Sequence, residues 1–155
     1  MQARMKHHQL TDEQICSLLK TEKTGHLATL NPDGSPYVVP VHFVYSDERI
    51  YIHGLPKGQK IDNLTQDVRV CFCVERMDGI LLDERPCDVN TAYQSVVIKG
   101  HAKMISDMAL KNTVLRHIIE KYTPSLAAAP LPEAAVRGTG VIEITIDEWT
   151  GKYFK

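Results

Sequence analysis

The stretch Ile50-Tyr-Ile-His-Gly-Leu-Pro-Lys-Gly-Gln-Lys-Ile-Asp-Asn-Leu64 changes character twice within a short span. An alternating strand ends at His53-Gly54, a Pro-Lys-Gly turn follows, and a short helix opens with Lys60 in its first turn. Cations beside a helix N-terminus run against the macrodipole, which favours acids there. They make sense when an anion, most simply a phosphate, sits between the lysines and the free backbone N–H groups. Lys57 and Lys60 are therefore the candidate ligands of a phosphorylated cofactor. The competing reading is a pair of solvated surface lysines.

Working outward, Thr11-Asp-Glu-Gln14 has the form of a capping box, and the spacing of Ile15, Leu18 and Leu19 predicts a helix from about Asp12 to Lys23, stopped by Gly25. His26 to Leu30 reads as a strand, Asn31-Pro-Asp-Gly34 as a hairpin turn, and Tyr37 to Tyr45 as the next strand. Ser46-Asp-Glu-Arg49 turns the chain into Ile50 to His53. Beyond the small helix, Val68 to Glu75 and Tyr93 to Ile105 alternate as strands. An amphipathic helix is predicted from about Asp107 to Tyr122, with Leu110, Val114 and Ile118 on one side and Leu115, Ile119 and Tyr122 beside them. Thr123 to Gly138, with three prolines and an Ala triplet, reads as a loop or a loosely helical connection. Val141 to Ile146 is the last strand, followed by Trp149-Thr-Gly-Lys152. About six strands joined mainly by tight turns, with three helices between them, predict a small antiparallel barrel rather than a parallel sheet.

The strand Tyr37-Val-Val-Pro-Val-His-Phe-Val-Tyr45 is apolar on both faces. Tyr37, Val39, Val41, Phe43 and Tyr45 share one face; Val38, Pro40, His42 and Val44 share the other. A barrel strand with water on its outside should be polar there. Both faces are expected to be covered, one by the core and one by a helix, a ligand or a second subunit. Pro40 donates no ladder hydrogen bond and so marks an edge or an interruption of pairing, which leaves backbone groups for a planar polar ligand.

The chain has 155 residues, a length suited to one domain over 1–155. A net charge of −1 gives no long-range attraction to nucleic acid or membrane. No apolar run is long enough to span a bilayer, and the polar segment Met1 to Gln9 lacks the apolar region of a signal peptide. Cys16, Cys71, Cys73 and Cys87 are too few and too scattered for a disulfide scaffold, so a cytoplasmic protein with reduced thiols is expected.

Seven segments, in this order, carry a resemblance: Gly25-His-Leu-Ala28, Asp33-Gly-Ser-Pro-Tyr-Val-Val-Pro-Val41, Ile50-Tyr-Ile-His53, Lys57-Gly-Gln-Lys-Ile-Asp62, Val70-Cys-Phe-Cys-Val74, Ser95-Val-Val-Ile-Lys-Gly100 and Thr150-Gly-Lys152. The set resembles the FMN-binding split-barrel family typified by pyridoxamine 5′-phosphate oxidase, and within it the nitroimidazole-resistance (Nim) branch. The resemblance implies a mainly β fold with flanking helices, a six-stranded antiparallel split β-barrel, acting as a homodimer with FMN at the subunit interface. It places the flavin along Val38, Val39, Pro40, Val41, His42 and Phe43 and at His53-Gly54. The phosphate falls to Lys60 and its neighbour Lys57, and Ser95 faces the ring. Nim-like sequences commonly carry histidine where this chain has Gln59, and the oxidase branch carries arginines where Gln94 and Ser95 stand. Trp149 to Lys155 lack the oxidase's substrate-recognising arginine and histidine pattern, which argues against pyridoxamine phosphate oxidation.

His53, at a strand end, is either a structural hydrogen-bond partner or, as the Nim branch implies, a catalytic residue near the ring. His26 and His42 read as packing residues inside strands. Cys71 and Cys73 share a strand face without metal-ligand spacing, so they read as small hydrophobes of a core or interface. Trp149 either closes the barrel or stacks on a flavin, and Lys152 is a weaker candidate for the flavin across the interface. No Ser/His/Asp or paired-carboxylate arrangement stands out, in keeping with chemistry supplied by a cofactor. The leading expectation is an FMN-dependent oxidoreductase. It would pass electrons from a reduced nicotinamide to a small acceptor such as a nitroaromatic, a quinone or a flavin, in a cleft roofed by Met77 to Asn90 and Thr123 to Gly138. The alternatives are a non-catalytic FMN or haem binder, with His7, His8 and His53 as iron ligands, and an enzyme using a deazaflavin.

Overall fold

The computed structural model describes residues 7–155; Met1 to Lys6, part of the polar N-terminal segment, lie outside the described residues. Helix α1 (Asp12–Thr21) begins at the expected capping box, with the Gln14 N–H donating to Thr11 Oγ1 and the Thr11 N–H to Gln14 Oε1. Six strands follow: β1 (Thr24–Leu30), β2 (Pro36–Ser46), β3 (Arg49–Gly54), β4 (Arg69–Leu81), β5 (Asn90–Met104) and β6 (Gly140–Phe154). Between them lie α2 (Gln59–Gln66), α3 (Met108–Tyr122) and α4 (Glu133–Gly138). The strands close into a barrel in the order β1-β2-β3-β6-β5-β4, every neighbouring pair antiparallel. None of the described helices is long and apolar enough to cross a membrane.

The barrel fills with the inward residues of each strand. Leu27, Phe43, Ile50, Ile52, Phe72, Val74, Val96, Ile98, Ile142 and Ile144 are essentially inaccessible, and α1 adds Ile15, Leu18 and Leu19 at one end. Each such side chain contributes about 1.5–3 kcal/mol on burial. A second, smaller core lies outside the barrel, where Val114, Leu115 and Ile118 of α3 meet Val44, Tyr51, Val136 and Val141. It accounts for the outer face of β2 only at Val44. Val38 remains 57% exposed, and Pro40 and His42 are also open.

Several boundaries differ from the sequence expectations. Helix α1 ends at Thr21, whose hydroxyl bonds back to the Ser17 carbonyl, so Gly25 is not its stop. Gly25 instead sits in β1, where a Cβ would come within 2.1 Å of the Phe72 ring. Strand β4 continues past Glu75 to Leu81 because Met77 to Leu81 pair with Tyr93 to Asn90 around a bulge before Gly79. Strand β6 runs on through Trp149 and Lys152 to Phe154, paired with β5 around a bulge at Lys99/Gly100. The connection after α3 forms a 3₁₀ turn, Pro124–Leu126, and then α4.

Trp149 closes rather than opens the structure: its indole N–H donates to Asp12 Oδ1 at 3.0 Å, and its ring packs on the barrel core. Cys71 and Cys73 alternate with the buried Val70, Phe72 and Val74, so they face out of the barrel, half-buried, and are not core residues.

The last turn of α3 fastens the outer helix to β2. The Phe43 N–H donates to Tyr122 Oη at 2.8 Å, and the same hydroxyl lies 2.6 Å from the Lys23 carbonyl and 2.9 Å from the Phe43 carbonyl, to which it donates. Lys121 donates to the Leu19 carbonyl with its ammonium 3.8 Å above the Phe43 ring, and burial pulls its pKa down to about 8. Removing the hydroxyl leaves the Phe43 amide without its partner. Tyr122→Phe is expected to destabilise the fold by about 1–3 kcal/mol in urea unfolding; an unchanged midpoint would show that water replaces the hydroxyl at no cost.

Candidate functional site

Strand β2 pairs with β1 from Pro36 to His42, but with β3 only from Phe43 to Ser46. Pro40 therefore lies where the β3 side of β2 has no ladder, as a residue without an N–H allows. Strand β3 diverges from this edge and ends at Gly54, and the chain turns through Pro56, Lys57 and Gly58 into α2. The gap that opens is a depression of about 460 Å³ lined by Thr24, Pro40, Val41, His42, His53 and Lys60. That volume falls in the range of small-molecule sites.

The start of α2 borders this depression. Its N-cap is Gly58 at φ 114°, a conformation only glycine adopts readily, and no side chain caps the helix. Helix starts normally satisfy their free N–H groups with a Ser, Thr, Asp or Asn side chain. Here Lys57 and Lys60 flank the helix start, and neither has a carboxylate partner among the described residues. Uncapped amides beside an unpaired ammonium are suited to a phosphate. Lys60 lines the depression; Lys57 is exposed on the turn and does not line it.

His53 is half-buried at the end of β3, and its Nδ1 is enclosed without a hydrogen-bond partner. Burial first, and the neighbouring His42 second, lower its pKa from the usual histidine value. His42 stacks between His53, at 6.4 Å, and the Tyr122 ring, at 4.5 Å. His53 lines the depression, and its lowered pKa favours the uncharged ring, which carries one N–H donor and one acceptor. Contrary to the packing expectation, neither inner-strand histidine is enclosed. His42 is exposed on the wall of the depression, and His26 faces outward with Nδ1 3.4 Å from Glu75.

The expected cofactor residues divide into groups. Pro40, Val41, His42, His53 and Lys60 are gathered around the depression. Gly54 follows His53 directly, with nothing within 4 Å of where a Cβ would stand. Val38 and Val39 lie on the stretch of β2 that pairs with β1 but not with β3, Val38 facing out and Val39 packing into the core. Phe43 is set apart from these: its ring is wholly buried against Phe72, and its N–H and carbonyl both bond to the Tyr122 hydroxyl. Ser95 stands opposite Glu75 of β4 and Lys152 of β6, so within one chain β1 and β4 separate it from β2. The haem alternative is not assembled: His8 packs on Tyr153 and Phe154 at the far end of β6 from the Val141 that pairs with His53.

Sequence reading missed Thr24, Tyr122 and Asn63. Asn63 is completely buried in α2, with Nδ2 donating to Thr29 Oγ1 and Asn31 Oδ1, both at 2.9 Å, and Oδ1 accepting from Gln59 Nε2 at 2.8 Å. An asparagine between the apolar Ile61 and Leu64 was the one available signal.

Among curated proteins, a 5a,11a-dehydrotetracycline/5a,11a-dehydrooxytetracycline reductase from Streptomyces rimosus is 33% identical over 99 residues, covering 61% of this chain and 63% of its own length. The match thus spans less than two thirds of that relative. Among solved structures, a protein from Bacteroides thetaiotaomicron provisionally assigned to 5-nitroimidazole antibiotic resistance superposes with a TM-score of 0.80 at 28% identity, over 93% of this chain and 85% of its own. A flavocytochrome from Azotobacter vinelandii superposes with a TM-score of 0.86 over 100% of this chain and 72% of its own; at 23% identity, that likeness concerns the fold alone. The family model described as pyridoxamine 5′-phosphate oxidase matches residues 11–153, from the cap of α1 to the last turn of β6. With its pattern running through all six strands, the chain belongs to the pyridoxamine 5′-phosphate oxidase family.

Proposed function

We propose that this protein is an FMN-dependent oxidoreductase that carries electrons from a reduced nicotinamide to a small acceptor such as a nitroaromatic, a quinone or a flavin. The observation that carries the proposal is the uncapped, cationic start of α2 at the rim of the depression under the free edge of β2. The reductase from Streptomyces rimosus and the Bacteroides protein support the same reading. Bound there, the flavin supplies the hydride chemistry. Lys60 and the first N–H groups of α2 hold its phosphate, with Lys57 adding charge from the exposed turn. The unladdered backbone of β2 around Val38 to Val41 orients the ring's polar edge, and His53, kept neutral by burial, hydrogen-bonds to ring or substrate. The walls formed by Pro40 and Val41 keep water from one side.

The remaining apolar surface suits a homodimer. Val38, Pro40, Cys71, Cys73 and Val97 all face outward on adjacent strands β2, β4 and β5, bridged by β1 with Ala28 and His26. A second copy on this face covers what the outer helices leave bare, and brings Ser95 of one chain toward the depression of the other. Four free cysteines fit a reducing, cytoplasmic setting.

Three measurements test these assignments. Lys60→Ala is expected to weaken FMN binding about tenfold to a hundredfold in a fluorescence titration, since a charge-assisted hydrogen bond contributes roughly 1.5–3 kcal/mol. Unchanged affinity would remove Lys60 from the phosphate site. For His53, the folded-state pKa is depressed below 6.5. Between the two values the unfolded chain binds a proton that the folded chain refuses, so stability falls as pH drops through this window. His53→Gln is expected to flatten the slope of Tm against pH below about pH 6.5, the ordinary histidine value. A slope identical to the parent's would show that His53 titrates normally. Finally, Val97→Asp is expected to convert a dimer to a monomer in light scattering; a stable dimer would place the interface elsewhere.

A further inference from the structure

We infer that Asn63 is the positioning residue that sets the start of α2 for a phosphate, and thereby decides how strongly the protein prefers a phosphorylated flavin to its phosphate-free counterpart. The inference rests on the phosphate site proposed above.

Helix α2 is short, and its apolar contacts come from Ile61 and Leu64. Hydrophobic burial is non-directional, so two such contacts hold a helix against a barrel without fixing its rotation or its slide. Direction comes from Asn63. A fully buried amide is costly unless every donor and acceptor is met. Here both N–H donors and the carbonyl are used, and the partners approach from three different places. Thr29 is itself buried on the inner face of β1; Asn31 opens the β1–β2 turn; Gln59 is the first residue of α2.

The path continues beyond Asn31. Its Nδ2 donates to Ser35 Oγ at 3.0 Å, and Ser35 Oγ donates to Asp33 Oδ1 at 2.6 Å. One hydrogen-bonded path therefore joins the first residue of the helix to the turn that launches β2. Lys60 lies three residues before Asn63, on the neighbouring part of the same helical surface. A rotation that broke the Asn63 bonds would swing Lys60 and the first amides away from the depression together. The side chain is too deeply enclosed to touch a ligand, so its influence passes through Lys60 and the helix start.

The test compares FMN with riboflavin, which lacks the phosphate, by fluorescence titration of purified protein. Replacing both buried partners by apolar groups of similar shape, in Thr29→Val/Asn63→Leu, removes the directional bonds without leaving either of those two groups unsatisfied. The expected result is a Tm within a few degrees of the parent, with FMN affinity about tenfold weaker and riboflavin affinity unchanged. A structural role alone predicts that the preference for FMN recovers with Tm; a folded double variant with the parental preference overturns the proposal. Should that variant fail to fold, Thr29→Val alone serves, because Thr29 lies away from the helix start; a loss of preference of about threefold supports the role, and an unchanged preference overturns it. Lys60→Ala, assayed alongside, separates the two levels. If the parent shows no preference and Lys60→Ala changes nothing, the phosphate site falls and the role of Asn63 falls with it. If Lys60→Ala abolishes the preference and the Asn63 variants do not, only the positioning role is lost.

Discussion

Strand β2 changes partners partway along, pairing with β1 from Pro36 to His42 and with β3 from Phe43 to Ser46, and the rest of the molecule follows from that exchange. From Phe43 onward it belongs to the barrel, with β3 beside it and α3 over Val44. Before Phe43 it is paired to β1 alone. The transition is pinned by the Tyr122 hydroxyl, which occupies the Phe43 amide and carbonyl just where the ladder with β1 runs out. Had β3 paired with β2 along its whole length, no backbone edge would be left here for a ligand. The barrel keeps such an edge and places it against a depression.

Electrostatics then distinguishes the two ends of that depression. At the α2 end, two lysines without carboxylate partners among the described residues stand by helix amides that no described side chain caps. At the β3 end, burial keeps His53 neutral, and His42, stacked on Tyr122, sits alongside it. An anionic group is favoured at the first and an uncharged, hydrogen-bonding ring at the second. A molecule with a phosphate tail and a polar aromatic head satisfies both at once. The long-range contribution of net charge is negligible at −1, so recognition is local.

The outer face of the barrel carries a different constraint. Helices α3 and α4 cover only the region around Val44, Tyr51 and Val141. The remaining outward positions on β1, β2 and β4 include Ala28, Val38, Pro40, Cys71 and Cys73, with His26 between Pro40 and Cys73 and paired to Glu75. Cys71 and Cys73 belong to this face, while Val70, Phe72 and Val74 of the same strand reach the core.

Much of this was legible along the chain. Period-two alternation, the Asn31-Pro-Asp-Gly34 turn, the Thr11 capping box and the lysines after Gly54 are local signals, and local chemistry determined the strands, their order in the chain and the cationic start of α2. Where partners lie far apart, the sequence was silent. Strand β6 runs through Trp149 and Gly151 only because β5 offers a continuous ladder, and Gly25 is small because Phe72 of another strand fills its space. The family resemblance put Phe43 beside the flavin, but nothing along the chain showed that its ring turns inward or that Tyr122 reaches its backbone from α3. Asn63 was ordinary in sequence and acquired its meaning only when Thr29 and Asn31 were brought against it. Periodicity records which face of a segment is apolar, since each side chain carries that information itself. Which distant group meets that face is decided by closure of the barrel, a property of the whole chain.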